Sequence, residues 1–504
     1  MSALPVPTSL SPRYLPWPWL ALVALLVAFR ALPFAWWGTL AFDADQAVVG
    51  LMAKHIAEFR ALPVYQYALG YVVMLTAYLT APFMWALGPT AFALKLPLLL
   101  MNVGVAVGLV MAIVRAGLRP ATAVVLSLPV ILPAAVTNAG LMDALGMTVE
   151  PLVFVIALWH ARRAPVVFGL VAALGFHVRE FVAYGVAAVI AVDVLDGRVL
   201  TREGRQHWIT AALSALATTA LIAGLARFAS VRGPGTWTVE QVEGNLATLG
   251  GAFCFAPRQA WRNVMELGVS YLGVLWGAAP IPLSHAAVQS RLAQGVTWAW
   301  PALALVLVAA LARVVVGGRR LWTMRSTPLV QLGIFLALVG AQSVLVYAVS
   351  RCGLISVITI RYALLGVFLP TGIALLLWAV EPRATARRAF GAALVALAAL
   401  NAWTHVRLWH EQVTAPVIST RALLGPALEA RGIRYARSDY WTAYYVDFMT
   451  QERVIVSADT FPRIDEYEHV LARHADDVVQ VSTEPCGETP AIVPGYYVCR
   501  ATAP

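Results

Sequence analysis

Two carboxylates, Asp43 and Asp45, lie where the first long apolar segment of the chain has ended, and Glu150 stands just before a later apolar segment. Three more polar residues share one short turn: His177, Arg179 and Glu180. A positioned carboxylate can take a proton from a weak nucleophile such as a hydroxyl group. A plainer role also suits these residues taken singly, because an acidic side chain at a helix N-terminus accepts backbone N–H bonds and complements the helix dipole.

The composition places these residues in a membrane protein. Of 504 residues, 60% are hydrophobic and 12% are charged, whereas a soluble domain carries about 25% charged residues. Long uncharged runs recur, for example 328–350 and 362–380, and a helix needs about 20 apolar residues to cross the bilayer core. The sequence therefore predicts a polytopic α-helical membrane protein.

The distribution of arginine predicts the orientation, because cytoplasmic loops are rich in Arg and Lys. About eleven crossings with a cytoplasmic N-terminus fit best. The predicted spans are 17–37, 92–114, 121–137, 146–160, 165–177, 181–195, 208–228, 298–317, 328–349, 362–380 and 389–404. They leave arginine clusters on the cytoplasmic side, at 115–119, 162–163, 198–205, 319–325 and 383–388. The net charge of +10 is then mostly membrane anchoring and gives no argument for nucleic acid as a partner.

Two further apolar runs, 70–88 and 267–283, are predicted to be interfacial or re-entrant, since counting either alone as a crossing would move every later basic loop outside. The first span is too long for a signal-peptide core and has no small-residue cleavage site, so we expect a retained anchor. On this topology, the segments 38–91, 229–297 and everything after 405 lie outside.

After residue 404 charges return, and short patterned elements replace the long apolar runs. We expect a transmembrane domain over 1–404 and a small extracytoplasmic α/β domain over 405–504. The elements predicted there are helices at 422–430 and 464–474 and strands at 453–457, 478–481 and 496–499. Cys486 and Cys499 could pair in an oxidising periplasm or stay unpaired, whereas Cys254 and Cys352 suit unpaired small apolar residues.

Asp45 opens a stretch in which apolar residues between Val48 and Phe59 fall on one side of an amphipathic helix. The run Asp45–Ile56, then Pro63, Ala77–Phe83 and Gly88–Pro89, resembles the first outer loop of GT-C glycosyltransferases. The branch that it resembles contains protein O-mannosyltransferases, the lipid A aminoarabinose transferase and rhizobial core transferases, a group similar to glycosyltransferase family 39. Further similar stretches extend over nearly the whole chain: Glu150–Pro151, Leu174–Phe176, Arg361–Tyr362, Ser438–Tyr444 and Glu452–Ile455.

This resemblance implies transfer of a hexosyl or pentosyl group from a polyprenyl-phosphate donor to a lipid, glycan or protein acceptor, at the outer face of a bacterial inner membrane. In the family the first-loop aspartate acts as the catalytic base, and Asp45 is the position that matches it. The leaving phosphate needs cationic or N–H partners. The candidates for it are Arg179, ranked first, with Arg361, Lys54 and His55. The residues expected to position the acceptor or a cation are Asp43, Glu150, His177 and Glu180.

The chain departs from the family after Pro63, where relatives often carry acidic or Gln residues. Here the sequence runs Tyr65-Gln66-Tyr67-Ala68-Leu69-Gly70, and no acidic residue occurs between Glu58 and Asp143. A divalent cation would have to rely on Asp43, Asp45 and Glu150, so the use of a metal stays open. Two other classes stay open too. A secondary transporter should show internal repeats, which the sequence lacks, and a non-catalytic lipid- or glycan-binding membrane protein would tolerate the loss of Asp45.

Overall fold

The computed structural model describes residues 16–38, 40–229, 255–277, 299–351, 355–356, 359–416 and 418–500. The protein is a polytopic α-helical membrane protein with a small C-terminal α/β domain. The helices before that domain are α1 (Trp17–Trp36), α2 (Ala44–Ala57), α3 (Leu75–Leu87), α4 (Ala91–Arg115), α5 (Pro120–Ile131), α6 (Ala135–Leu141), α7 (Glu150–Ala161), α8 (Pro165–Val178), α9 (Ala183–Leu195), α10 (Arg202–Ala229), α11 (Pro257–Glu266), α12 (Leu272–Trp276), α13 (Ala299–Val316), α14 (Gly318–Thr323), α15 (Pro328–Val349), α16 (Phe368–Val380) and α17 (Ala384–Thr414).

Each of the predicted spans contains a helix in the structure. Among the described residues, six helices are long and apolar enough to cross a membrane, or seven if the bent pair α5 and α6 counts as one span. The remaining predicted spans coincide with shorter helices, such as α7, which at about 1.5 Å per residue is shorter than a bilayer core of about 30 Å. The structure therefore supports a multi-pass protein, and the crossing number stays a prediction.

The two runs predicted to be interfacial or re-entrant form short elements where they are described. The first contains α3, which has 13 residues. The second holds a π-helical turn, Leu267–Tyr271, followed by α12, and its part after 277 lies outside the described residues.

The predicted span 121–137 is wrong as one continuous helix. It breaks between α5 and α6, whose axes differ by 81°. Pro133 explains the break, because a proline disfavours the helical conformation of the preceding residue, here Leu132. The backbone oxygens left without helical partners are bonded by α17: Asn401 Nδ2 donates to the Leu132 oxygen at 2.9 Å, and His405 pairs with the Pro133 oxygen at 3.2 Å. Irregular backbone inside a membrane protein needs such internal partners.

Arg30, the charged residue nearest the middle of a predicted span, also stabilises this break. Its side chain is buried, and it donates to the Ile131 oxygen at 2.9 Å, to the Asn102 side chain at 2.9 Å and to the Asn138 side chain. Asn138 Nδ2 donates back to the Arg30 backbone oxygen at 2.7 Å. No carboxylate among the described residues pairs with Arg30, so amides and a carbonyl alone hold its charge.

Replacing Arg30 with Met should lower the free energy of unfolding by about 3 kcal/mol, because three buried acceptors would lose their donor. The measurement is the melting temperature of the purified protein in detergent. Arg407→Met is the matched control: its partner Glu411 is 3.3 Å away on an exposed face of α17, where an ion pair contributes little. Equal melting temperatures for the two variants would contradict a structural role for Arg30.

The C-terminal domain follows α17, which continues past the predicted boundary at 405 to Thr414. The domain's elements are α18 (Thr420–Ala430), β1 (Tyr435–Ser438), α19 (Tyr440–Met449), β2 (Ile455–Ala458), α20 (Asp465–Arg473), β3 (Val479–Ser482) and β4 (Tyr497–Arg500). The sheet has the order β2-β1-β3-β4, with β4 antiparallel to β3 and the other pairs parallel. Ala436 at its centre pairs with Val456 on one side and Val479 on the other.

The predicted helices and strands of this domain are found with ends shifted by a few residues, whereas β1 and α19 were missed. The structure also confirms the pairing of Cys486 with Cys499, whose Cα atoms are 5.8 Å apart. Cys254 and Cys352 lie outside the described residues.

Candidate active site

Helix α2 begins directly after Asp43 and runs through the interior of the protein, with Asp45 in its first turn. Asp43 caps the helix and accepts the backbone N–H of Gln46 at 3.1 Å, which confirms the capping alternative for this residue. The prediction of a one-sided amphipathic helix is wrong, because α2 is buried on nearly all sides from Gln46 to Ile56. It packs against α3 on one side and α19 of the C-terminal domain on the other. At Gly50 a Cβ atom would lie 2.5 Å from the Phe448 ring, so glycine permits this close approach.

Asp45 lies in the first turn of α2, and its carboxylate has partners from two other elements. Tyr440 Oη donates to Asp45 Oδ1 at 2.8 Å, and Arg361 Nη2 lies 3.5 Å from Asp45 Oδ2. The Asp45 side chain keeps 21% of its exposure and that of Arg361 keeps 17%. The carboxylate is thus held from two sides and still reachable, which is the geometry that a general base requires.

Tyr440 is the first residue of α19, which Asp439 caps by accepting the N–H groups of Trp441 and Thr442. Burial, and next the negative charge of Asp45, hold the pKa of the Tyr440 phenol well above its usual value. The phenol therefore keeps its proton at neutral pH and donates a hydrogen bond to the carboxylate. The sequence alone did not single out Tyr440 as a site residue.

Asp143 is a second site residue that the sequence reasoning missed. Gln46 joins it to α2: its Nε2 donates to Asp143 Oδ1 at 3.2 Å, and its Oε1 accepts the N–H of Ala144 at 3.2 Å. Burial raises the pKa of the Asp143 carboxyl, and the charge of Lys95 opposes that effect. The predicted topology contained a usable signal, since the loop 138–145 falls on the same outer side as Asp45.

Two arginines near the site retain unused donors. The Nε atoms of Arg179 and Arg361 are buried and find no hydrogen-bond partner among the described residues. Arg179 is 5% exposed. The turns that carry them are in contact, because the rings of Phe181 and Tyr362 meet edge to face with centroids 6.0 Å apart. A buried guanidinium with unpaired N–H groups is suited to an anionic ligand.

The other predicted positioning residues lie around this centre without contacting Asp45 directly. Glu150 is buried and accepts hydrogen bonds from Thr76 and from the Thr148 N–H at 3.0 Å. His177 pairs with Thr219 at 3.3 Å, and Glu180 lies 4.0 Å from Arg179 with its side chain 48% exposed. No hydrogen bond or ion pair between described residues joins any of the three to Asp45.

Lys54 and His55 lie near the opposite end of α2, more than two helical turns from Asp45. Both bind Glu452 of the C-terminal domain, His55 Nε2 at 3.0 Å from Glu452 Oε1 and Lys54 through a short ion pair. Arg60 and Tyr467 reach the same carboxylate at 3.0 Å. Burial alone would raise the pKa of Glu452, but hydrogen bonds and charges from His55 and Lys54 outweigh it and hold the pKa well below its usual range.

The carboxylates of the site face cations and N–H groups of the protein. Asp45 meets Arg361, Asp43 caps α2, and Lys95 interacts electrostatically with Asp143. No group of three or more His, Cys, Asp or Glu side chains among the described residues is placed to hold a metal ion. Asp43, Asp45 and Glu150, on which a divalent cation would have to rely, are therefore not brought together as a metal-binding group among the described residues.

Comparison with solved structures confirms the GT-C fold. The oligosaccharyltransferase of Archaeoglobus fulgidus, solved with Zn and sulfate, matches with a TM-score of 0.53 and 14% identity over 92% of this chain and 67% of that one. ArnT from Cupriavidus metallidurans in the apo state matches with a TM-score of 0.52 and 12% identity over 92% of each chain.

A second ArnT structure, bound to undecaprenyl phosphate, matches with a TM-score of 0.48 and 12% identity over 92% of this chain and 93% of that one. By sequence, neither a family model nor a curated protein matches the chain.

Proposed function

We propose that the protein is a membrane glycosyltransferase that moves a sugar from a polyprenyl-phosphate donor to an acceptor hydroxyl group, with Asp45 as the catalytic base. The observation that carries this proposal is the carboxylate of Asp45, partly exposed at the end of a buried helix and held between Arg361 and Tyr440. The sequence resemblance of the first outer loop and the GT-C fold support it independently of that geometry.

The reaction needs one proton acceptor and one anion stabiliser. The hydroxyl oxygen of the molecule that receives the sugar forms a bond to the anomeric carbon, and the bond from that carbon to the phosphate oxygen breaks. The proton of this hydroxyl group passes to Asp45. The electron pair leaves with the polyprenyl phosphate, whose negative charge increases as it departs. A neighbouring cation lowers the barrier because it interacts more strongly with the leaving group in the transition state than with the bound donor.

Arg361 and Arg179 are the residues that we assign to that phosphate. Both have a buried Nε without a partner among the described residues, and a guanidinium can bind phosphate oxygens through two parallel N–H groups. Lys54 and His55, the other candidates from the sequence, already pair with Glu452. We therefore assign those two residues to domain docking and not to the donor.

The transfer is proposed to occur at the outer face of a bacterial inner membrane. The Cys486–Cys499 disulfide supports this side for the C-terminal domain, since such bonds persist in oxidising compartments. Tyr440 reaches Asp45 from that domain, so domain and site share one side. Four residues remain candidates for positioning the acceptor: Asp43, Glu150, His177 and Glu180. Since Glu150, His177 and Glu180 do not contact Asp45, they would act through neighbouring residues.

The direct test uses purified protein in proteoliposomes supplied with polyprenyl-phosphate sugars and membrane lipid extract. We expect mass spectrometry to detect a glycosylated product and free polyprenyl phosphate in equal amounts. Comparing the glycolipids and envelope glycans of cells with and without the protein would identify the acceptor. Flux of solute across the same vesicles without sugar transfer would contradict the proposal and favour a transporter.

A further inference from the structure

The C-terminal domain holds both ends of helix α2. Near the N-terminal end, Tyr440 donates to Asp45 at 2.8 Å. Toward the C-terminal end, Glu452 accepts from His55 at 3.0 Å and pairs with Lys54 and Arg60. Between these contacts Gly50 lets the Phe448 ring lie directly against the helix. A helix that bears a catalytic carboxylate is thus fixed by a domain outside the membrane.

Arg463 extends the contact beyond Tyr440. Its guanidinium carbon lies 5.9 Å from the centre of the Tyr440 ring, and its Nη1 donates to the backbone oxygen of Tyr67, in the first outer loop, at 3.2 Å. The residue is 6% exposed. A cation beside a phenol makes its hydroxyl group a stronger hydrogen-bond donor, because the positive charge stabilises negative charge on the phenol oxygen.

We infer that Tyr440, supported by Arg463, is a positioning residue that the C-terminal domain supplies to the transfer reaction. This inference rests on the proposed function. Tyr440 contacts Asp45 and is assigned no contact with the donor or the acceptor, so its effect passes through the carboxylate.

Tyr440 can affect the reaction because it and Arg361 compete for the Asp45 carboxylate. Arg361 lies 3.5 Å from Oδ2, beyond the usual length of a charge-assisted hydrogen bond. The bond from Tyr440 to Oδ1 holds the carboxylate in that orientation. Without the phenol hydroxyl, the carboxylate can turn toward Arg361 and form a closer ion pair. It would then be less available to the acceptor proton, because a general base must lie within about 3 Å of the proton that it takes.

The test is Tyr440→Phe, which removes one hydroxyl group and keeps the ring. We expect kcat to fall at least about tenfold, less than the roughly 100-fold loss of a hydrogen bond made to the reacting atoms themselves, while KM for the donor and the melting temperature stay unchanged. Tyr445→Phe is the matched control on the same helix: its ring packs edge to face against Phe42, and no hydrogen bond between described residues joins its hydroxyl group to Asp45, Tyr440 or Arg463. This substitution should leave kcat unchanged.

A double variant separates positioning from a general structural effect. Residues that act as a unit are non-additive, so Tyr440→Phe should have no further effect in the Asp45→Asn background. An unchanged kcat for Tyr440→Phe, or the same loss in both backgrounds, would overturn the inference while the proposed function stands. Absence of transfer by the unmodified protein would instead overturn the proposed function, and this inference with it.

Discussion

Replacing Asp45 with Asn is expected to lower the rate of sugar transfer about 1,000-fold, within the range that a general base contributes. The amide has the size of the carboxylate, and its oxygen can still accept from Tyr440, so the fold and donor binding should persist. It cannot take the acceptor proton. The measurement is single-turnover transfer from a polyprenyl-phosphate sugar, since this reports the chemical step without product release.

Asp43→Asn is the matched control for this prediction. It changes the same functional group two residues away, and asparagine caps helices about as well as aspartate, so the bond to the Gln46 N–H should survive. We expect a rate within about tenfold of the unmodified protein, the change attributable to the lost charge near Asp45. Undiminished transfer by Asp45→Asn would show that Asp45 is not the base.

Much of this fold could be predicted because its dominant signals are local. Apolar runs mark the helices whether or not their partners are known, and each predicted span contains one. Pro133 is also visible in the sequence, yet prolines occur within other helices of this protein, for example Pro97 in α4. What turns Pro133 into a break is the support from Asn401, His405 and Arg30, which are distant in sequence.

The site was less predictable, because its partners come from separate parts of the chain. The pattern around Asp45 singled out the residue itself, and Arg361 was named as a phosphate partner with no indication that the two side chains meet. Tyr440 belongs to a ten-residue helix, α19, that carries no clear apolar periodicity. The sequence therefore predicted neither this helix nor the hydrogen bond from Tyr440 to Asp45. Lys54 and His55 were named as candidates for the leaving phosphate because it needs cationic or N–H partners. The helix places them at the other end, where Glu452 binds them.

Replacing Arg361 with Gln is expected to lower kcat/KM for the donor about 100-fold, the loss typical of removing one group that stabilises a developing anion. The change removes the cation that pairs with Asp45 and an N–H fork for the leaving phosphate. Arg361→Lys keeps the charge and loses the fork, so its loss should be smaller, about tenfold. Steady-state kinetics with varied donor would measure both.

Binding of polyprenyl phosphate, the carrier left after transfer, separates phosphate binding by Arg361 from proton removal by Asp45. If this residue holds the phosphate, Arg361→Gln should weaken that binding and Asp45→Asn should not, because the carrier has no proton for Asp45 to take. Arg313→Gln is the control, an exposed arginine 4.0 Å from Glu381 in another part of the helical bundle. Unchanged carrier binding by Arg361→Gln, together with slower transfer, would restrict Arg361 to orienting Asp45 and leave Arg179 as the phosphate ligand. The same assay on Arg179→Gln would then show the loss.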